Sequence, residues 1–86
     1  MIEKALELAD AELRSAISRY PAFHSAHEGY AVLLEEVDEL KDEVWKSPRK
    51  RDYEAMHAEA VQVAAMALRF IVDVTLPKLE AARADD

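Results

Sequence analysis

The sequence lacks cysteine altogether and has one glycine and three prolines among its 86 residues. Without cysteine, disulfide bonds and thiolate metal sites are excluded, while the redox compartment stays open. A content of 51% apolar residues, with frequent Ala, Leu and Glu, indicates a folded, all-helical protein and not a disordered chain. At this length we expect a single domain over residues 1–86, with one modest core.

Long apolar runs and an excess of positive charge are also missing. No uninterrupted apolar run reaches the roughly 18 residues of a membrane-spanning helix, and the N-terminal residues do not form a signal peptide. We therefore expect a soluble, cytoplasmic protein. The formal net charge of −7 argues against sequence-independent binding to nucleic acid or to an anionic membrane. If the chain binds phosphates, a divalent cation is expected to mediate the contact.

Apolar residues recur at helical spacing in three segments. They predict three helices, over Ile2–Arg19, Ala26–Lys46, and from Pro48 or Tyr53 to Val74. Ser25 and Glu28 form a capping box at the start of the second helix, and either Ser47 or Asp52 can cap the third. Pro77 is expected to end or kink the third helix, leaving residues 75–86 as a short helix or a frayed tail. The fold class is therefore an antiparallel bundle of three main helices.

The third predicted helix is apolar on almost every side from Ala60 to Val72. Such a helix must be buried on all sides, and two other helices in an 86-residue chain cannot cover it. The usual solution is a symmetric partner, so we expect the bundle to be completed by homo-oligomerisation, as a dimer or a tetramer.

The second predicted helix carries a group of carboxylates on one side. Glu36, Glu39 and Glu43 lie within about 60° of one another on a helical projection. They repel one another unless water or a cation screens their charge. Glu36 borders the apolar stripe of the helix, with the other two beside it, so a metal site is one interpretation. An ordinary solvated acidic surface is the other.

Glu59 and Gln62 bring further oxygen donors on the third predicted helix. Glu59 lies in the middle of an apolar stripe, and Gln62 follows one turn later. A buried carboxylate needs a proton, a cation or a metal. Packing the two helices together would gather Glu36, Glu39, Glu59 and Gln62 around one point, a donor set that suits Mg²⁺ or Mn²⁺. Alternatively, Glu59 pairs with a basic residue and has a structural role only.

Four of the eleven Lys and Arg residues form the only basic cluster of the sequence, where the second predicted helix gives way to the third: Lys46, Arg49, Lys50 and Arg51. Such a cluster can hold a polyphosphate at the edge of a metal site. A solvated loop that balances the nearby acidic residues is an equally good interpretation.

These acidic motifs resemble a known family. Glu35-Glu36-x-x-Glu39, followed by Glu59 on a long apolar helix, resembles the all-α nucleoside triphosphate pyrophosphohydrolases, the MazG-like group. The stretches 27–36 and 60–70 are similar to short bacterial or phage members, and the resemblance covers roughly residues 24 to 75. It implies a helical homo-oligomer that binds Mg²⁺ and cleaves a nucleoside triphosphate to the monophosphate and pyrophosphate.

The resemblance also implies roles for individual residues. Glu36, Glu39 and Glu59 would be metal ligands, and Glu35, beside Glu36, would orient or deprotonate a water molecule. The family's second motif is E-x-x-D, however, and its fourth position here is Gln62. A Gln carbonyl can bind Mg²⁺, but the site loses one of four negative charges. A non-catalytic helical dimer that binds a nucleotide or a protein therefore remains the alternative function.

Overall fold

A computed structural model describes residues 1–84 of the protein and shows no strand among them. Its elements are α1 (Ile2–Arg19), α2 (Ala26–Val44), α3 (Tyr53–Phe70), a π-helical segment (Ile71–Thr75) and α4 (Leu76–Ala84). The prediction of an all-helical fold with three main helices is confirmed. The second helix ends two residues earlier than the predicted Lys46.

Side-chain caps fix where α2 and α3 begin. The Ser25 hydroxyl accepts a hydrogen bond from the Glu28 N–H at 3.1 Å, as the capping-box motif predicts. At α3, the Asp52 carboxylate accepts from the N–H groups of Glu54 and Ala55, at 3.0 and 3.1 Å. Of the two predicted starts, the one at Tyr53 is therefore correct. A carboxylate both bonds the free N–H groups and complements the positive end of the helix dipole.

The third helix does not end before Pro77. α3, the π-helical segment and α4 follow one another without a break from Tyr53 to Ala84, so the helix does not end at Val74. Of the two expectations for the tail, a short helix over Leu76–Ala84 is the one observed. A proline inside a helix has no N–H to donate, and its ring crowds the carbonyl four residues earlier. Here the Leu76 N–H bonds to the Ile71 carbonyl, five residues back, which changes the hydrogen-bond register just before the proline. The predicted tail also included Asp85 and Asp86, which lie outside the described residues.

α3 is the central helix, and it packs against both α1 and α2. Ala16 of α1 lies beside Arg69, and Gly29 of α2 lies beside Phe70. Because Glu36 and Glu39 meet Glu59 further along the pair, α2 runs antiparallel to α3. The fully buried apolar residues are few and mostly small: Ala9, Ala16, Ala65 and Met66.

Gly29 sets how closely α2 approaches α3. A Cβ atom at this position would lie 2.7 Å from Cδ2 of Phe70, closer than real carbon atoms pack. The absence of a side chain at Gly29 therefore permits this close approach of the two helices. Leu33, Glu36 and Leu40 of α2 are half-buried, whereas Tyr30, Val37 and Val44 of its apolar stripe are exposed.

A buried arginine joins α1, the α1–α2 linker and the end of α3. Arg69 is only 4% exposed, and its guanidinium donates to the carbonyls of Ala16 and Tyr20 at 3.0 and 2.9 Å. It also donates to the Asp73 carboxylate at 2.9 Å, and that carboxylate accepts from the Phe23 N–H at 3.1 Å. The guanidinium thus satisfies carbonyls at the C-terminus of α1, where a positive charge is favoured.

Replacing Arg69 with leucine is expected to lower the free energy of unfolding by about 3–5 kcal/mol, because it leaves Asp73 buried without a counter-charge. For a domain of this size such a loss is close to complete unfolding. Urea denaturation followed by circular dichroism measures it. The matched control is Arg14→Leu, which removes an exposed ion pair with Asp10 and should change stability by less than about 1 kcal/mol. Equal effects of the two substitutions would contradict the structural role of Arg69.

The molecule exposes more surface than a folded monomer of its mass. The chain exposes 6647 Å², whereas about 5,100 Å² is expected for a protein of 9.7 kDa. Its radius of gyration is 15.1 Å, against about 12 Å for a compact chain of this length. Much of the exposed area is apolar, and it includes side chains on every helix.

One described helix, Tyr53–Ala84, is long and apolar enough to cross a membrane by length and composition, with a mean hydropathy of 1.5 in its most apolar window. The central helix of a soluble protein passes the same test when partners cover it. Within residues 1–84, α1 and α2 cover only part of this helix, and 17% of the window is buried.

Candidate metal centre

Three carboxylates from two helices meet at the contact between α2 and α3. Glu36 and Glu39 project from successive turns of α2, and Glu59 projects from α3. One carboxylate oxygen from each residue lies within 4.8 Å of one from each of the others. The helical spacing placed Glu36 and Glu39 on one side of α2, and the antiparallel packing brings Glu59 to the same point.

Glu59 contributes an oxygen without a partner. Its Oε2 atom is buried and has no hydrogen-bond partner in the structure. Burial, hydrogen bonding with Glu39 and the negative charges of Glu39 and Glu43 all raise the pKa of Glu59. The structural alternative, in which Glu59 pairs with a basic residue, is not what the described contacts show, because no Lys or Arg is bonded to it.

The pKa of Glu36 is raised as well. Burial raises the pKa of Glu36 from 4.5 to about 7, with added contributions from Glu39, Glu59 and Glu35. Near neutral pH a carboxylate of the cluster therefore binds a proton, unless a bound cation offsets its negative charge. A buried unpartnered oxygen beside two further carboxylates is a donor set that fits a hard divalent cation such as Mg²⁺ or Mn²⁺.

The fourth predicted donor, Gln62, lies one turn after Glu59 on α3. It lines a cleft together with Glu36, so both residues face the same space. No described hydrogen bond joins the Gln62 amide to the three carboxylates, so its link to the site is the cleft that it shares with Glu36. A Gln side chain offers a neutral oxygen, which contributes less to cation affinity than the carboxylate of an Asp would.

Other predicted site residues lie outside the cluster. Glu35 is exposed on α2, and its negative charge contributes to the raised pKa of Glu36. Glu43 is close enough to raise the pKa of Glu59, but its carboxylate accepts two hydrogen bonds from Lys46, at 2.9 and 3.0 Å. Lys46 therefore neutralises a neighbour of the cluster.

The rest of the basic cluster lies past the end of α2, in the loop before α3. Arg49, Lys50 and Arg51 are exposed there, and within residues 1–84 no ion pair involves them. Of the four predicted phosphate-binding residues, Lys46 is the one that the described ion pairs bring to a carboxylate beside the cluster, that of Glu43.

A cleft of about 510 Å³ opens beside Glu36, between α1 and α2, with α3 as its floor. Apolar and aromatic side chains line much of it, including Tyr20, Phe23, Val32 and Met66, and Glu12, Arg19 and Glu28 add charges. Its size is that of a small-molecule site. The guanidinium of Arg19 pairs with Glu12 at 3.3 Å and lies over the Tyr20 ring at 5.4 Å.

Arg19, Tyr20 and Phe23 line the cleft, and no sequence pattern predicts them as site residues. Tyr20 and Phe23 flank Pro21 in the α1–α2 linker, a position that by itself indicates only a turn. Their place beside Glu36 depends on how α1 packs against α3, and no motif encodes that arrangement.

No family model, curated protein or solved structure matches this chain.

The raised pKa values predict how stability depends on pH without metal. A carboxyl group whose pKa is higher in the folded state binds its proton more tightly there, so folding is favoured at low pH. The contribution of Glu36 to the free energy of unfolding should therefore be lost as pH rises from about 4.5 to about 7. Urea unfolding of the chelator-treated protein between pH 4.5 and 8 measures this change.

Glu36→Gln and Glu59→Gln should both flatten that pH dependence and stabilise the metal-free protein at pH 8, because each removes a charge from the cluster. Asp38→Asn, at an exposed acid on the same helix, is the control and should leave the wild-type slope unchanged. Added Mg²⁺ should stabilise the wild type most at pH 8, where the carboxylates are ionised. Identical slopes for wild type and both Gln variants would contradict the cluster's electrostatics.

Proposed function

We propose that the protein is a Mg²⁺-dependent nucleoside triphosphate pyrophosphohydrolase that cleaves a (d)NTP to the (d)NMP and pyrophosphate. The observation that carries this proposal is the buried, unpartnered Glu59 oxygen beside Glu36 and Glu39, at the edge of a cleft large enough for a nucleotide. The resemblance of the E-E-x-x-E motif and of Glu59 to the MazG-like group supports the same activity. Cytoplasmic localisation belongs to the proposal, as does self-association.

Glu36, Glu39 and Glu59 would hold the cation, which could equally be Mn²⁺. When bound, the cation supplies positive charge that offsets the charge developing on the leaving pyrophosphate. Glu35, exposed next to Glu36 on α2, would orient a water molecule or accept its proton. Because Glu36 lines the cleft as well as belonging to the cluster, it is the residue that connects the cation to the substrate.

The side chains that line the cleft suit a nucleotide as the ligand. Tyr20 and Phe23 offer aromatic surface on which a base can stack, and Arg19 offers a guanidinium for phosphate or for the base edge. The cluster of Lys46, Arg49, Lys50 and Arg51 lies past the end of α2, so its role would be to attract the anionic substrate through long-range charge.

One observation favours the second candidate function, a non-catalytic nucleotide-binding or protein-binding module on the same scaffold. Gln62 replaces the acid of the family's second motif, which leaves three carboxylates at the site. A site with weaker cation affinity can keep its cleft and bind a nucleotide without cleaving it.

The activity is tested by incubating the purified protein with canonical and altered (d)NTPs and Mg²⁺, and by measuring pyrophosphate release. We expect release that a chelator abolishes. Glu36→Gln, Glu39→Gln and Glu59→Gln should each reduce the rate at least about 100-fold, because each removes a ligand charge at the reacting phosphates. Asp38→Asn and Asp42→Asn, at exposed acids of the same helix, are the matched controls and should retain the wild-type rate.

Release of pyrophosphate from no nucleotide, with no Mg²⁺-dependent rise in melting temperature, would refute the enzymatic proposal. A rise in melting temperature on adding a nucleotide, without any release, would select the non-catalytic module.

Gln62→Asp tests the departure from the family motif. Restoring the fourth negative charge should raise Mg²⁺ affinity by about tenfold or more, because the added carboxylate faces the same space as Glu36. Isothermal titration of the metal into both proteins measures the change. Gln62→Asn keeps the position neutral and should leave affinity near the wild-type value. Unchanged affinity in Gln62→Asp would exclude residue 62 from the metal's ligands.

A further inference from the structure

The cleft beside the candidate metal centre has more negative than positive side chains in its walls. Among residues 1–84, the carboxylates of Glu12, Glu28 and Glu36 line it, against the guanidinium of Arg19. Most of this lining repels a phosphate group, which is best held where a cation joins the carboxylate cluster. The part of a nucleotide that fills the rest of the cleft must therefore present hydrogen-bond donors to the carboxylates.

Glu12 is the carboxylate that remains to meet such donors. Glu36 belongs to the carboxylate cluster. Glu28 already accepts from the His24 N–H at 3.0 Å, and its Oε2 atom lies 3.3 Å from Nδ1 of the His24 ring. The hydrogen bond described for the Glu12 side chain within residues 1–84 uses Oε1, which accepts from Arg19 at 3.3 Å. Its Oε2 atom is left for a ligand.

The pair of Glu12 and Arg19 lies on the cleft side of α1. The two residues are two helical turns apart, so the Arg19 side chain extends back along the helix to reach Glu12. The Glu12 side chain is 24% exposed, whereas that of Asp10, in the neighbouring ion pair with Arg14, is 58% exposed. A ligand in the cleft would remove the remaining water from Glu12. Binding is weakened when an acceptor loses its water without gaining a donor.

The pair presents an acceptor beside a donor, and this order matches one base better than the others. Glu12 accepts hydrogen bonds, and the guanidinium of Arg19 donates them. Guanine offers two adjacent donors, N1–H and the 2-amino group, next to the O6 acceptor. Adenine and cytosine have an acceptor nitrogen at the centre of the same edge, and uracil has one donor between two acceptors. Guanine therefore places donors against Glu12 and an acceptor against Arg19.

The position of the pair suits a base whose phosphate lies at the carboxylate cluster. Ala16 lies beside Arg69, and the first turns of α1 border the first turns of α3, so these two helices run parallel. Glu12, four residues before Ala16, is thus level with Ala65, about 9 Å along α3 from Glu59. The sugar of a nucleotide can bridge a separation of this size between base and phosphate.

We infer that the cleft is a guanine subsite, in which Glu12 accepts from N1–H and the 2-amino group while Arg19 donates to O6. Tyr20 and Phe23 supply the aromatic surface beside this edge. The inference rests on the proposed function in that a nucleotide occupies the cleft, and it names the base. Glu12 and Arg19 are its specificity-determining residues.

Isothermal titration of nucleoside monophosphates in the presence of Mg²⁺ tests the inference. GMP is expected to bind the wild type at least about 10-fold more tightly than AMP, because AMP turns an acceptor nitrogen toward Glu12. Two analogues separate the contacts. IMP lacks the 2-amino group, and the 2-aminopurine nucleotide lacks both O6 and N1–H, so each should bind more weakly than GMP.

Glu12→Gln tests the residue itself. An amide offers a donor as well as an acceptor, so GMP affinity should fall at least about 10-fold while AMP affinity stays the same or rises. Asp10→Asn, the same change in the exposed ion pair with Arg14 on α1, is the matched control and should keep the wild-type preference. Circular dichroism checks that both variants are folded, and the nucleotide series on the wild type needs no variant.

Equal affinity of the wild type for GMP and AMP overturns the inference, as does a GMP preference that persists in Glu12→Gln. Binding of no monophosphate at millimolar concentration also overturns it. Pyrophosphate release from GTP and ATP with equal kcat/KM would overturn the guanine subsite and leave the proposed activity standing. A GMP preference that depends on Glu12, without release of pyrophosphate from any nucleotide, would support the subsite and refute the activity.

Discussion

The arrangement of the helices depends on one buried charge. Arg69 bonds to carbonyls at the end of α1 and to Asp73, and Asp73 also accepts from the N–H of Phe23 in the linker to α2. Within residues 1–84 only four apolar residues are buried, three of them alanine, so the apolar core that holds α1 is small and is supplemented by partly buried side chains such as Leu13. The guanidinium donates hydrogen bonds to Asp73, Ala16 and Tyr20. It therefore fixes the position of α1 as much as it stabilises the fold. It thereby determines where the linker, and with it one wall of the cleft, is placed.

At the other end of the α2–α3 contact the buried groups are negatively charged and lack a positive partner. There three carboxylates from two helices face one another, and the pKa of Glu36 rises to about 7 as a result. A fold gains nothing in stability from such a cluster, because repulsion and burial both oppose the ionised form. Arg69 is a buried charge with its partners in place, whereas Glu59 retains a buried oxygen without one. This contrast within one helix is the physical basis for interpreting the cluster as a binding site.

α3 also separates two surfaces with different chemistry. Toward the cleft it presents Gln62 and Met66, beside Glu36 of α2. Away from the cleft it presents Leu68, with Ile71 beyond it, beside the exposed Tyr30 and Val37 of α2. Gly29 lets α2 pack closely against Phe70 of α3, and part of the apolar stripe of α2 remains exposed in this arrangement.

The sequence by itself determined the helical class, the three main helices, the cap at Ser25 and the placement of Glu36 and Glu39 on one side of α2, since all of these follow from local spacing. It also indicated that Glu59 would need a partner, because a carboxylate inside an apolar stripe is unfavourable alone. Only the tertiary structure decided that the last helix continues past Pro77, since a change of hydrogen-bond register makes this possible. The cleft beside Tyr20 and the anchoring by Arg69 likewise arise from contacts about 50 residues apart in the sequence, which no local pattern encodes.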